Sequence, residues 1–466
     1  MRSSPPWFAT STGRARPPEP VADHAVSSSP LVQAQLDRLA SLSPGADVLG
    51  LERITRLLER VGNPERRLPP TFHVAGTNGK GSTCAFLRAC LEAAGHRVLV
   101  YTSPHLVRFN ERIRLAGTLI ADDLLADLLR EVLDAGGDVG ASFFEVTTAA
   151  AFLAFARTPA DACVIEVGLG GRLDATNVVN PLVTGIAGLG IDHEAFLLVP
   201  EAGTPDAPLA RIAFEKAGIA KRGVPLVTQR YPEAAARAVA DVAAHRGAPL
   251  HARGTTWGAE IDARLTYRDE QGVSVFARPA LAGAYQADNA ALAVAMLRRQ
   301  HVVSVEEGAI SRGLAAARWP ARLQRLGSGP LTALLHPEQR AAGVWLDGAH
   351  NESAAAAIAG AWAGGEATAL VIGMLANKDA RGVLRQLITP ATHVIAVPVR
   401  GHLHHSPEHL AATAREAGAA STATADDVST AFTRIAAGAL PVRSVLVAGS
   451  LYLAGAVLAT NDEQPV

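Results

Sequence analysis

From about residue 70 onward the chain alternates short apolar runs with stretches of helical periodicity, a rhythm satisfied by a largely parallel sheet covered with helices. Phe72–Ala75, Val98–Thr102, Ala162–Val167 (ACVIEV) and Leu182–Leu189 read as strands. Ser82–Ala94, Ala121–Leu133, Thr147–Arg157, Pro232–Arg246 and Ala287–Arg299 carry apolar residues at helical spacing. The first of these helices stops at Gly95, as a helix C-terminus should. A second alternating block follows residue 320, with strands at Val344–Leu346, Ala369–Gly373, His393–Val397 and Ser444–Ala448 and helices starting near Glu352, Lys378, Pro407 and Asp426. The break falls at Arg318-Trp319-Pro320, so the pattern predicts two α/β domains, residues 31–317 and a smaller one at 318–466.

The chain has 466 residues, 48% hydrophobic and 19% charged, with formal charge −1, enough for two buried cores. That near-neutral balance argues against a dedicated binder of nucleic acid or of membrane surfaces, which would favour a basic excess. No apolar run approaches the roughly 18 residues of a membrane span. Cys84, Cys90 and Cys163 have no metal-ligand or CxxC spacing and read as reduced core thiols of a cytoplasmic protein. Residues 1–30, rich in Pro, Ser and Arg, lack the apolar core of a signal peptide and are expected to be a disordered tail or the product of an early start codon.

In open parallel sheets, ligands bind beyond the carboxyl ends of the strands. Four successive strands end here in Gly76–Ser82, Thr102-Ser103-Pro104-His105, Glu166–Gly171 and Gly190-Ile-Asp-His193. The first, GTNGKGS, departs from a Walker A loop: only Thr77 and Asn78 separate Gly76 from Gly79, and Gly81 intervenes between Lys80 and Ser82. It retains the physics of one, because glycines let backbone N–H groups face phosphate oxygens and a helix N-terminus adds positive potential. Lys80 supplies a full charge that a plain strand-to-helix turn has no reason to carry. Singly, Ser103, Glu166 and His193 have plain structural readings. At neighbouring strand ends beside a phosphate loop they offer oxygen and nitrogen ligands for a Mg²⁺ bridging nucleotide phosphates. Glu215-Lys216 reads from spacing as a solvated helix face. Asp347, His350 and Asn351 follow a strand in the second block, and Arg318, Arg322 and Arg325 cluster in the linker, able to reach a phosphate or to form salt bridges.

With these segments in view, the sequence resembles the bacterial dihydrofolate synthase/folylpolyglutamate synthase branch of the Mur ligase family. The matching stretches are GTNGKGS, YTSPHLVRFNERIR, FFEVTTAAAF, VIEVGLGGRLDATNVV, IDH, EKAGI, WPARLQ, LDGAHN and IGMLANKD, in family order across residues 35–455. GTNGKGS alone would indicate only the superfamily; SPHLVRFNERIR with EVGLGGRLDATN is specific to the folate branch. The resemblance implies a P-loop ATPase-like N-terminal domain and a Rossmann-like C-terminal domain. It implies an ATP-dependent ligase joining L-glutamate to dihydropteroate or to reduced folates through an acyl phosphate, acting as a monomer. Asn78, Gly79, Lys80, Gly81 and Ser82 would hold ATP phosphates, and Asn289, Arg322 and Asp347 would contact ATP, with His350 in the same motif as Asp347. Ser103, Glu166 and His193 match the family's magnesium ligands. Lys216 matches a lysine carbamylated in the family to help hold a second Mg²⁺, which reverses its surface reading. The pterin would lie against segments that include Ser41, Pro44, Phe144, Glu145, Leu173, Asp174 and Ala175.

Two departures stand out. Residues 197–208 (LLVPEAGTPDAP) lengthen the link between His193 and Glu215, an expected surface loop, and Asn377 replaces a common acidic residue or histidine. The competing readings are a monofunctional folylpolyglutamate synthase, another Mur-type amino-acid ligase, and a nucleotide-binding regulatory module. A peptidoglycan ligase would normally carry a further N-terminal domain, whereas about 45 non-tail residues precede the loop.

Overall fold

The computed structural model describes residues 27–42, 49–361, 367–439, 442 and 444–465. The expected tail lies outside the described residues as far as residue 26, and the first helix begins at Pro30. The chain forms two compact units, the first of them built from described residues up to Pro104 with Phe109–Ala280 and Gln286–Arg318. The second takes His105–Arg108, Leu281–Tyr285 and described residues from Trp319 onward.

An eight-stranded sheet organises the first unit: β1 (Thr71–Ala75), β2 (Val98–Tyr101), β3 (Ile113–Leu115), β4 (Thr118–Leu119), β5 (Ala162–Glu166), β6 (Val183–Ile186), β7 (Leu226–Thr228) and β8 (Leu250–Ala252). Their order is β4-β3-β2-β5-β1-β6-β7-β8, parallel except for β3 and β4 at one edge. Every residue of β1, β2, β5 and β6 is buried, as expected of parallel strands covered on both faces. Val74 lies opposite Glu166 and Ala75 opposite Ile186. The four strand ends singled out from the sequence are therefore neighbours, and the chain reverses direction across the sheet at β1, where such folds open a crevice.

The helix expected at 147–157 runs Phe143–Arg157. Its earlier start has a local cause: Ser142 Oγ accepts from the Glu145 N–H at 3.3 Å, and Glu145 Oε2 accepts from the Ser142 N–H at 2.6 Å. This capping box satisfies two donors that a helix end otherwise leaves open. Ser142→Ala is expected to lower the unfolding free energy by about 1 kcal/mol, measured by chemical denaturation. A small antiparallel sheet, β9 (Trp257–Ile261), β10 (Leu265–Asp269) and β11 (Gly272–Phe276), was not anticipated. Its alternation, with Ser274 and Phe276 buried and Val273 and Val275 exposed, marks a sheet wet on one side.

In the second unit β12 (Gln324–Arg325), β13 (Val344–Leu346), β14 (Thr368–Ile372), β15 (Thr392–Ala396), β16 (Ser421–Thr424) and β17 (Ser444–Ala448) are ordered β12-β13-β17-β14-β15-β16. All pairings are parallel except β12 with β13. The expected strands at 344–346 and 444–448 are observed; β16, the polar edge strand STAT, carried no apolar signal. No helix among the described residues is long and apolar enough to cross a membrane.

Candidate nucleotide and ligase site

Gly76 and Gly79 adopt φ of 154° and 85°, a region that favours glycine. A Cβ on Gly79 would lie 2.2 Å from Asn289 Oδ1, so both conformation and close approach demand glycine there. The Thr77 and Asn78 N–H groups donate to Gly188 O at 2.8 and 3.1 Å, and Thr77 Oγ1 donates to Gly190 O at 2.9 Å. These bonds anchor the loop to the segment after β6. They also commit the Thr77 and Asn78 N–H groups to the protein, just before the Lys80–Ala93 helix opens. Ser82 Oγ is buried with no hydrogen-bond partner among the described residues, the kind of orphan a phosphate oxygen or a metal-bound water satisfies.

Lys80 Nζ lies 3.4 Å from Thr77 O and 4.0 Å from Glu166 Oε1. Glu166, buried at the end of β5, accepts from the Ser103 N–H at 3.3 Å. Lys216 Nζ donates to Gly76 O at 3.0 Å from the Pro208–Ala217 helix. Spacing alone had placed Glu215 and Lys216 on a solvated face; both are buried, because that helix packs against its neighbours from Ala210 onward. Loss of water, and secondarily the charge of Lys80, lower the Lys216 pKa to about 7. The strand expected at Leu182–Leu189 ends at Ile186, so His193 lies seven residues beyond it, in a left-handed conformation, φ 52°, before the short Glu194–Leu197 helix, with its side chain 44% exposed.

Loop, Lys80, Glu166, Ser103 and Lys216 thus come together, with His193 three residues beyond Gly190, whose carbonyl accepts from Thr77 Oγ1. Among the described residues no three His, Cys, Asp or Glu side chains are grouped to hold a metal ion. The expected set has only two such side chains, Glu166 and His193. An oxygen-rich set with few protein ligands suits Mg²⁺, which keeps its remaining positions for phosphate and water. As an amine Lys216 offers no oxygen.

Of the residues expected to face a pterin, Phe144 is half-buried with its ring against Gly168, where a Cβ would meet Phe144 Cζ at 2.4 Å. Glu145 is committed to the Ser142 N–H and to Arg53 Nε at 2.9 Å. Asp174 is buried and shapes its own turn, accepting from the Leu169 N–H at 2.8 Å and the Thr176 N–H at 3.0 Å; burial raises its pKa against these bonds. Leu173 and Ala175 flank it. Ser41 is exposed and donates to Arg38 O, and Pro44 lies outside the described residues. Asn289 Nδ2 donates to Gln286 Oε1 at 3.0 Å, which leaves Asn289 Oδ1 toward Gly79. Sequence reasoning did not single out Gln286, Arg172 or Arg211. All three are buried polar residues, and only the Gly-Gly before Arg172 hinted at close packing.

In the second unit, Asp347 at the end of β13 accepts from the Leu323 N–H at 2.7 Å and the Ala349 N–H at 2.8 Å. Burial raises its pKa, and the nearby Arg322 opposes that shift. Arg322 sits between Ala321 and Leu323, at φ of 52° and 45°, unusual for residues with side chains. The Gly348 N–H bond to Ala321 O at 3.0 Å helps hold this turn. His350 Nδ1 lies 2.9 Å from Gly348 O, so Arg322, Asp347 and His350 share one corner. Arg325 donates to Ala341 O, and Arg318 belongs to the first unit, because β12 pairs with β13 and fixes Arg325 on that edge.

Residues 333–460 match the family described as Dihydrofolate synthetase, C-terminal domain. The chain is 34% identical over 394 residues to the dihydrofolate synthase/folylpolyglutamate synthase of Escherichia coli, covering 82% of this chain and 85% of that one. Among solved structures it resembles E. coli FolC in complex with DHPP and ADP, at TM-score 0.81 and 33% identity, over 93% of this chain and 98% of the other. It also resembles a bifunctional folylpolyglutamate synthase/dihydrofolate synthase with Mn, AMPPNP and L-glutamate bound, at TM-score 0.77 and 32% identity, over 93% and 99% of the two chains.

Proposed function

The chain belongs to the dihydrofolate synthase/folylpolyglutamate synthase family, and we propose that it is the ATP-dependent ligase joining L-glutamate both to dihydropteroate and to the γ-carboxylate of reduced folates. The observation that carries this reading is the convergence of Lys80, Glu166 and Lys216 on the glycine loop. In the reaction, a substrate carboxylate oxygen attacks the γ-phosphorus of ATP, forming an acyl phosphate and releasing ADP. The neutral amine of glutamate then attacks the acyl carbon, loses a proton, forms the amide and expels inorganic phosphate.

Lys80 and the N–H groups from Gly79 to Ser82 neutralise charge on the transferring phosphoryl group, the main demand of such chemistry. Asn78 contributes through its side chain, since its N–H serves Gly188. Ser103, Glu166 and His193 would hold Mg²⁺, which supplies further charge neutralisation when bound. Lys216 has the reactivity its expected modification requires: near pH 7 a good share is neutral amine, which adds to CO₂, loses a proton and becomes a carbamate. That gives the residue the oxygens its amine lacks, as a ligand for a second ion. Asn289, Arg322 and Asp347 are the candidate nucleotide contacts, with His350 beside Asp347. Ser41, Pro44, Phe144, Glu145, Leu173, Asp174 and Ala175 belong to the candidate pterin segments; Phe144 offers ring surface, while Glu145 and Asp174 act by holding the backbone in place.

The test is ADP release by the purified protein with Mg²⁺-ATP and L-glutamate, offering dihydropteroate and tetrahydrofolate separately. Glutamate-dependent release with both is expected. Release with tetrahydrofolate alone would mean a monofunctional folylpolyglutamate synthase, and release with neither would end the folate reading.

A further inference from the structure

Residues 197–208, expected as a surface loop, are tied into the first unit by one side chain. Glu201 accepts from Arg172 Nη1 and Nη2 at 3.1 and 2.5 Å and from Arg211 Nη2 at 3.1 Å. The same two guanidiniums meet Glu215: Arg172 through Nε and Nη2 at 3.1 and 3.0 Å, Arg211 through Nη2 at 3.0 Å. Both also lie against the buried Phe214 ring, 5.4 and 5.8 Å from its centroid. The side chains of Arg172, Arg211 and Glu215 are 8%, 7% and 5% exposed and that of Glu201 is 26%, so two buried cations and one buried anion are closed off by a half-buried second anion.

Its position gives it consequence. The Arg172 N–H donates to Glu215 O at 2.7 Å, and a Cβ on Gly171 would lie 2.9 Å from both Glu215 O and Lys216 O. The turn that leads into Leu173–Ala175 therefore rests directly on the helix end that carries Lys216. The link is secured at its other end too: Thr204 Oγ1 donates to Glu201 O at 2.6 Å and meets Arg211 Nη1, and Leu197 is buried against Gly170.

We propose that Glu201 is a positioning residue: through Arg172 and Arg211 it clamps the Lys216 helix end to the 168–175 turn, and so sets where Lys216 stands relative to the glycine loop. The proposal rests on the role given to Lys216 above. An exposed ion pair would matter little, but here loss of one anion leaves two buried guanidiniums to share Glu215 alone.

The test compares full-length wild type, Glu201→Ala and Glu201→Asp, well below their melting temperatures. It measures kcat, KM for each substrate, and the rate at which cyanate modifies Lys216, followed by peptide mass spectrometry. Glu201→Ala is expected to lower kcat about tenfold, since small misplacements near reacting groups carry costs of that order. KM for ATP should stay within about twofold, as expected when no ground-state contact with ATP is lost. Lys216 modification should accelerate, and Glu201→Asp should restore part of both effects. Unchanged kcat, even with a lowered melting temperature, would overturn the proposal, as would unchanged Lys216 reactivity. If wild type itself releases no glutamate-dependent ADP, the ligase reading fails, while cyanate labelling still reports on the clamp.

Discussion

Glu166→Ala is expected to lower kcat about a thousandfold, the upper scale seen when one preorganised group that stabilises charge in a transition state is removed. The carboxylate stands 4.0 Å from Lys80 Nζ and accepts the Ser103 N–H, at the strand end beside the phosphate loop. Its removal takes away the one buried carboxylate of the candidate Mg²⁺ set and the countercharge of Lys80. The half-buried Ser103 N–H also loses its acceptor, a smaller penalty than for a fully buried donor. Glu166→Gln separates the two effects: it keeps an acceptor for Ser103, so its melting temperature should stay near wild type while turnover remains severely reduced. Steady-state kinetics over a Mg²⁺ titration, with thermal melts on the same samples, decides the matter. Near-normal turnover in the alanine variant would remove Glu166 from the metal site.

The second large effect is expected at Lys216, where activity and stability should move in opposite directions. Lys216→Met should cost about a hundredfold or more in kcat, because the group expected to become an anionic ligand is gone. In CO₂-free buffer, where the residue stays an amine, the same change should raise the melting temperature, since a buried ammonium is replaced by an apolar side chain of similar length. The pH dependence follows from the lowered pKa of about 7 against an ordinary value of 10.5. Between these values the unfolded chain binds a proton that the folded chain does not, so this residue's contribution to stability rises with pH through that window and is least favourable below it. The stabilising effect of Lys216→Met should therefore be greatest near pH 6 and shrink toward pH 9. A ¹³C-bicarbonate NMR experiment on wild type should show a carbamate resonance that Lys216→Met abolishes. A melting advantage independent of pH would contradict the buried-ammonium argument.

Both predictions concern residues that the sequence marked unequally. Glu166 closes an apolar strand, and the rule that ligands gather at strand ends was enough to single it out. Lys216 sits in a helix whose spacing alone suggested a wet face; only the resemblance of EKAGI to the family motif pointed inward. The structure supplies the physical cause, since Glu215 beside it is neutralised by Arg211, one turn earlier on the same helix, and by Arg172 from a separate segment. The capping box at Ser142 was written in the residues Ser-Phe-Phe-Glu, yet apolar spacing started the helix four residues late. Edge strands such as β16 and β12 were missed because they are short or polar, and their pairing comes from partners distant in the chain.

Local patterns determined the α/β class, the strand ends that carry the candidate site residues, and the glycine loop with its lysine, since periods of two and 3.6 residues and glycine's conformational freedom act over a few bonds. Sheet order, the burial of Lys216, the anchoring of Thr77 and Asn78 to Gly188, and the bonds from Glu201 in the 197–208 loop to Arg172 and Arg211 were decided only in three dimensions. Each depends on groups far apart in sequence competing for the same buried space, where an unpaired charge or N–H is too costly to leave unmatched.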